Sequence, residues 1–336
     1  MSMHRFKSVF LGAGVAVSLG TSGWAESPGV ATDIAAIHGL AARVMDGVGE
    51  PGWIVRRGAS PHGYSMRPSE ARLLEQADVV FWVGDELTPW LDHAIETLAG
   101  QARVVTLLDH PETVTRAFRS GATFEDHAHD DGHDMKEEHD EHGHEDAHAD
   151  EHADGHGHGD EHAHADDGVD PHAWLDPENG KAWLDVMAAE LSQVDPANAG
   201  AYYANAAQAK QEIDAAVTEI AQMLAPLRDS RFIVFHDAYQ YFESRFDITA
   251  AGSIALSDAS DPSAARVAEI RALVAEQDIA CAFAEPQFNP GILKAVFSGT
   301  DARTVVIDPQ GTELAPGPGF YPAFLRSIAR SFAECL

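Results

Sequence analysis

PSEARLLEQADVVFWVGDELTPWLDHAIETLAGQARVVTLL (Pro68–Leu108) alternates between two hydrophobic periods, and that alternation decides the fold class. Pro68-Ser69-Glu70 opens a helix running to Ala77, because proline suits the first turn and glutamate suits the positive helix end. Val79-Val80-Phe81-Trp82-Val83 is an unbroken apolar run stopped by Gly84, the pattern of a strand buried on both faces. Glu86 to Leu98 is again helical and Val104 to Leu108 is a strand. Outward from this stretch, Trp53-Ile54-Val55 is a strand. The C-terminal part repeats the theme, with strands at Phe232–Phe235, Ile279–Ala284 and Thr304–Ile307. Helices there are expected at Ala238–Phe246, Pro262–Glu276, Ile292–Phe297 and Phe320–Ala333. Strands alternating with helices imply parallel sheets covered on both faces.

Between the two regions lie helical stretches from Glu178 to Val194 and from Ala197 to Leu224. The second, about 28 residues, would span about 42 Å at 1.5 Å per residue. It reads as a rigid connector ended by Pro226. The expected class is α/β, with two lobes, each a mainly parallel sheet flanked by helices, joined by one long helix. The expected division is a leader over 1–25, an N-terminal lobe over 26–195, a linking helix over 196–226 and a C-terminal lobe over 227–336.

The leader is read from Arg5 and Lys7, the apolar stretch Val9–Leu19 and the small-x-small signal Gly23-Trp24-Ala25. The apolar run falls short of the ~20 residues of a membrane span. Export to the periplasm follows, with no membrane insertion. Removing two basic residues with the leader takes the formal charge from −32 to −34. Such a surface repels nucleic acid and anionic lipid and concentrates cations. In an exported chain the two cysteines, Cys281 and Cys335, read as a disulfide, with two buried thiols as the alternative.

Residues 125–167 hold 12 histidines and 18 acidic residues: His127, His129, His133, His139, His142, His144, His148, His152, His156, His158, His162 and His164 punctuate runs of Asp and Glu. Such a composition cannot bury enough apolar surface to offset chain ordering, and a disordered loop is expected. Its imidazoles and carboxylates offer many weak, exchangeable metal sites. The loop would gather zinc and pass it on, or buffer or sense it, or be simply a solvated surface.

Outside the loop, His4 leaves with the leader. His38 and His93 sit in helical patterns with nothing around them to mark a site, and His110 lies in a turn. His62, His172 and His236 differ. His62 follows a strand, in Gly-Ala-Ser-Pro-His-Gly-Tyr. His236 ends the strand Phe-Ile-Val-Phe. Asp308 ends Thr-Val-Val-Ile, and His172 lies in Asp-Pro-His-Ala-Trp-Leu-Asp-Pro just before a helix. Strand carboxyl ends line the ligand crevice of open α/β sheets. Three imidazoles with a carboxylate or water suit tetrahedral zinc, whereas manganese prefers more oxygen.

The stretches GASPHGYSMRPSEARLLEQADVVFWV (Gly58–Val83), DPHAWLDP (Asp170–Pro177), FHDAYQYF (Phe235–Phe242), AEPQFN (Ala284–Asn289) and IDPQGT (Ile307–Thr312) resemble the metal-binding receptors of bacterial zinc and manganese ABC importers, the cluster A-I or family 9 solute-binding proteins. The resemblance covers nearly the whole mature chain. The acidic histidine loop and the placing of Cys281 and Cys335 are similar to the ZnuA-like zinc branch. It implies two α/β lobes, a rigid linking helix and a Zn(II) ion between the lobes held by His62, His172 and His236. Asp308 stands where many members place a fourth, carboxylate ligand. Some zinc members use a Glu immediately before the first His; Pro61 closes that route here, so Asp308 or a water completes the shell.

The expected function is a monomeric periplasmic receptor, not an enzyme, that captures zinc and delivers it to the membrane permease of an ABC importer. Affinity should fall as pH drops through the histidine range, because ligands must be deprotonated. A zinc hydrolase is the second class. It lacks an obvious general base beside a ligand apart from Asp237, and Asp308 as a ligand would close its site. A periplasmic zinc store or metallochaperone is the third, favoured if a deletion strain grows normally in chelated medium. A manganese receptor is disfavoured by three imidazoles.

Overall fold

A computed structural model describes residues 27–119, 121, 123, 124, 168–255, 262–277, 279–288, 290–300 and 302–336. The expected leader and the histidine-rich segment 125–167 lie outside them.

The chain order is β1 (Val30–Thr32), α1 (Ala35–Val44), β2 (Gly52–Trp53), α2 (Pro68–Glu75), β3 (Val79–Trp82), α3 (Pro89–Leu98), β4 (Arg103–Thr106), α4 (Pro177–Val194) and α5 (Ala199–Leu224). It continues with β5 (Phe232–His236), α6 (Gln240–Phe246), β6 (Gly252–Ala255), α7 (Ala264–Glu276), β7 (Cys281–Ala284), α8 (Pro290–Val296), β8 (Arg303–Val306) and α9 (Phe320–Cys335). Two four-stranded parallel sheets result, ordered β2-β1-β3-β4 and β6-β5-β7-β8. Both lobes therefore use one winding pattern: second strand, first, third, fourth.

The apolar runs behave as their composition dictates. Val79, Val80, Phe81 and Trp82 are all buried, as are Phe232 to Phe235. At α2, Glu70 reaches back to accept the Arg67 backbone N–H at 2.7 Å, so the expected helix start is closed by its own third residue. The outer strands depart from the expectation of full cover. Val104 on β4 is 43% exposed and Val306 on β8 is 56% exposed, each at a sheet edge. Strands β1 and β6, and helix α1 as an element, were not among those expected.

The long helix α5 buries Tyr202, Ala206, Ala209, Ile213, Ala216, Ile220 and Leu224, one stripe at three- and four-residue spacing. Twenty-six residues give it a length of about 39 Å. It is not a lone connector, because α1, α4 and α9 pack along it. One apolar core runs through this helical spine from Val30 and Phe81 to Phe232, Phe283 and Phe332, so both sheets lean on the same body. Close-packed interiors of this kind resist bending. The Cys281–Cys335 disulfide, with Cα atoms 5.8 Å apart, ties the start of β7 to the end of α9. No helix of the described residues is long and apolar enough to cross a membrane.

His38, expected to be an ordinary histidine, is 6% exposed on α1. Its Nε2 lies 3.1 Å from the Pro51 carbonyl and its ring 4.2 Å from that of Trp53. Burial, the largest influence, pushes its pKa down to about 4. The sign follows from linkage: between pH 6.5 and 4 the unfolded chain binds the proton and the folded one does not, so stability is lost as pH falls across that window. His38→Gln, which keeps a donor for the Pro51 carbonyl, should lose less stability between pH 6.5 and 4.5. The difference should be on the order of 3 kcal/mol at full titration. Denaturant unfolding of both proteins at the two pH values checks it, and equal losses would contradict the assignment.

Candidate metal centre

The candidate ligands lie on loops and strand ends of both lobes. His62 lies in the β2–α2 loop and is half-buried. Its neighbour Pro61 accepts the Trp90 indole N–H at 2.7 Å, and Trp90 stacks at a tilt on Tyr64, which fixes the loop against α3. His236 is the last residue of β5 and 2% exposed; His172 is 5% exposed and opens the short turn Ala173–Leu175 ahead of α4.

The His172 ring has each of the other two beside it. The His62 and His172 ring centroids are 5.6 Å apart, and those of His172 and His236 are 5.2 Å apart. The Nε2 atoms of His172 and His236 stand 3.4 Å from each other. Two nitrogens bound tetrahedrally to zinc at 2.0–2.1 Å are about 3.3–3.4 Å apart, so this pair already has the required bite.

Two buried carboxylates set the ring orientation. Asp170 Oδ1 accepts the His172 backbone N–H at 3.0 Å and lies 2.7 Å from its Nδ1. Glu285 Oε1 lies 2.6 Å from His236 Nδ1. An ionised carboxylate only accepts, so a neutral ring opposite one carries its proton on Nδ1 and its lone pair on Nε2. Both lone pairs then point into the same space, which suits a cation between them. Asp170 is itself held by Gln240 through Oδ2 and by the Tyr241 hydroxyl at its carbonyl. Burial raises its pKa to about 7, opposed by the His172 N–H and by the charges of Arg119 and His236. A divalent cation on His172 would favour the ionised form. Burial first, then the charges of Glu285 and Asp308, hold the Tyr239 phenol well above its usual value, so it stays a neutral hydroxyl beside His236.

Asp308 stands two residues beyond β8 at the same edge of the second sheet, half-buried. Its oxygens accept the backbone N–H groups of Gln310 and Thr312. This clasp leaves lone pairs on both oxygens. Its loop meets the His172 segment, because the Trp174 indole donates to the Pro309 carbonyl at 3.0 Å, and Trp174 lies 5.2 Å from the His172 ring. The described contacts set the Asp308 loop beside the His172 segment but do not join Asp308 to an imidazole. The twelve loop histidines fall outside the described residues. His93 projects from α3 with 88% of its side chain exposed, away from this cluster. His110 is held in its turn, accepting the Glu112 N–H.

Asp170 and Glu285, which face the Nδ1 atoms of His172 and His236, stand inside the quoted motifs but were given no role in the sequence. Asp170 could have been found as a carboxylate two residues before a ligand-type histidine. Glu285 follows β7, the strand paired with β5, and so meets His236 from 49 positions away. Glu285→Gln keeps the shape and removes the anion behind His236. A loss of zinc affinity of about 10–100-fold is expected. Competition against a chelator measures it, and unchanged affinity would show that Glu285 does not tune the ring.

The family model of the zinc-uptake complex component A, periplasmic, matches residues 30–335. The high-affinity zinc uptake system protein ZnuA of Paracoccus denitrificans is 48% identical over 326 residues, 96% of this chain and 97% of that protein. Its namesake from Brucella abortus is 46% identical over 335 residues, 99% of each chain. Among solved structures, the periplasmic zinc binding protein TroA from Treponema pallidum superposes with a TM-score of 0.71 over 92% of this chain and 99% of its own. At 16% identity that is a likeness of fold alone.

Proposed function

This chain belongs to the ZnuA family of periplasmic zinc-uptake components, and from that premise we propose how its residues capture and hand over the ion. The protein is a zinc-binding receptor of an ABC uptake system, and its family carries solute rather than transforming it. His62, His172 and His236 hold zinc through their imidazoles, and Asp308 or a water supplies the fourth position. The observation that carries this reading is the 3.4 Å approach of two Nε2 atoms whose Nδ1 atoms each face a buried carboxylate. Zinc here is cargo: it enters the interlobe cleft, displaces no structural group and leaves unchanged.

Hand-over needs a lobe or ligand loop to move, since the shared core and α5 oppose a wide hinge. The membrane permease supplies that disturbance when it docks. Residues 1–25 act as the export leader, residues 125–167 gather zinc and pass it to the buried site, and the receptor works as a monomer. The lobes follow the division 26–195 and 227–336 around the linking helix 196–226. A zinc-specific accumulation assay tests the function. Cells lacking the gene and grown in chelated medium should regain zinc uptake with the parent protein and fail to with His172→Ala. Equal recovery with both would contradict delivery through this site.

A further inference from the structure

After β4 the chain crosses from the first sheet to the second, described at 116–119, 121, 123 and 124, and the described chain resumes after the histidine-rich segment at Gly168. The outgoing and returning strands pair. Phe118 N–H donates to the Gly168 carbonyl, Asp170 N–H donates to the Arg116 carbonyl, and Ala117 faces Val169 in an antiparallel bridge. The returning strand carries Asp170, which orients His172.

The outgoing strand carries Arg119. Its guanidinium grips both carboxylate oxygens of Asp237 and both of Glu243. Those side chains are 6% and 3% exposed. The Phe124 ring lies 3.9 Å below the guanidinium carbon and closes it from water. Past Arg119 the strand is pinned to the second sheet, where Phe124 N–H donates to the Ala251 carbonyl, Thr123 bridges Gly252, and Arg266 donates to the Gly121 carbonyl. Glu243 is fixed in turn, because its Oε2 also accepts the Ala250 N–H at 3.1 Å.

Asp237 is the residue after His236. Glu285 fixes the His236 ring, and α6 reaches the opposite lobe through Gln240 and Tyr241 to Asp170 and through Arg245 to Asp176. At the residue next to His236 the tie is Arg119. A planar fork shared by two buried carboxylates is a rigid joint, and a lysine cannot reproduce it. An ion between His172 and His236 leaves only if these two segments part.

We propose that Arg119 is a positioning residue for zinc retention: its clamp on Asp237 and Glu243 holds the His236 strand end against the His172 segment and sets the rate at which the ion leaves. The inference rests on the reading of His172 and His236 as zinc ligands. Arg119 does not touch the ion. It acts through Asp237 on one side and through the paired strands leading to Asp170 on the other.

The test is chelator-driven zinc release from the full mature protein, followed by stopped flow, with thermal unfolding measured in parallel. Arg119→Lys keeps one positive charge for folding but loses the fork; release is expected to be about tenfold faster, with the association rate nearly unchanged. Arg119→Met should release faster still. Arg43→Met breaks a comparable Arg–carboxylate fork, to Glu212, between α1 and α5 away from the histidines. It is the control for general loss of stiffness, and its release should match the parent's. Release within twofold of the parent in both Arg119 variants overturns the proposal, and so does an equal acceleration in Arg43→Met. His236→Ala separates the two readings. If it leaves tight binding intact, the ligand assignment fails and the proposal with it. If it abolishes tight binding while release ignores Arg119, only the positioning role fails.

Discussion

His236→Ala is expected to weaken zinc binding by about two to three orders of magnitude. Zinc held by four protein ligands at neutral pH is worth roughly 10–16 kcal/mol, or about 3 kcal/mol per ligand if shared evenly. Losing one imidazole should therefore cost about 100–1000-fold. A second effect adds to it. Glu285 is 3% exposed and faces the His236 Nδ1, so truncating the ring leaves a buried carboxylate without that donor. His172→Ala should behave alike, because Asp170 is buried behind it in the same way. Asp308→Ala should cost less, since a water can take a fourth position that an imidazole cannot be replaced in. His93→Ala, on an exposed helix face, should change nothing. Competition titrations with a chelator of known affinity rank the four variants. An affinity for His236→Ala within threefold of the parent would remove His236 from the ligand set.

Loss of the disulfide is the second large effect. Cys281 and Cys335 close a loop of 54 positions, and both side chains are buried. Cross-linking a loop of that size restricts the unfolded chain by roughly 4 kcal/mol in the chain-entropy account. The bond also fastens α9, which carries Phe324, Ile328 and Phe332 of the shared core, to the first residue of β7. The paired change Cys281→Ala with Cys335→Ala should lower the melting temperature by about 10 °C, at a few degrees per kcal/mol. Reduction of the parent should do the same. Zinc affinity at 25 °C should survive, because neither cysteine lies at the strand ends that carry the histidines. An unchanged melting temperature on reduction would show that packing alone holds α9 in place.

The parts of this molecule visible from its sequence are those encoded by local pattern. Val79–Val83 and Phe232–Phe235 are apolar on every residue, which only a doubly covered strand requires, and they became the centres of the two sheets. The long helix over Ala197–Leu224 was equally plain, and it is α5 (Ala199–Leu224). Strand β1 was not, because Val30-Ala31-Thr32 is three residues with one large apolar side chain. It is a strand because β2 and β3 flank it with complementary backbone groups. Strand β6, Gly252–Ala255, has only Ile254 as a large apolar residue and is templated by β5 in the same manner. The spine around α5 was missed for a related reason: a helix pattern shows which face is apolar, not which helices cover it.

The metal centre divides along the same line. His62, His172 and His236 stood out because each follows or ends an apolar run or precedes a helical pattern in the sequence, and the fold sets the His62 and His236 rings 5.6 Å and 5.2 Å from that of His172. Asp170 was legible only as a carboxylate two residues before His172, and Glu285 and Arg119 were silent, since such groups declare a distant partner only in space. Glu285 reaches His236 through the pairing of β5 with β7, and Arg119 reaches Asp237 across 118 positions. Orientation of a ligand is thus the property least visible in a sequence, although it decides whether three histidines form a site.

The central claim is that zinc is held by three histidines between the lobes and not chiefly by the histidine-rich segment. It is tested by calorimetric zinc titration, under a competing chelator, of the mature protein, of His62→Ala, and of a version with residues 125–167 replaced by a short Gly–Ser linker. The account predicts one tight site that is lost in His62→Ala and kept in the linker version. Tight binding that survives His62→Ala and vanishes with the segment would contradict it, and would make the protein a histidine-rich zinc buffer.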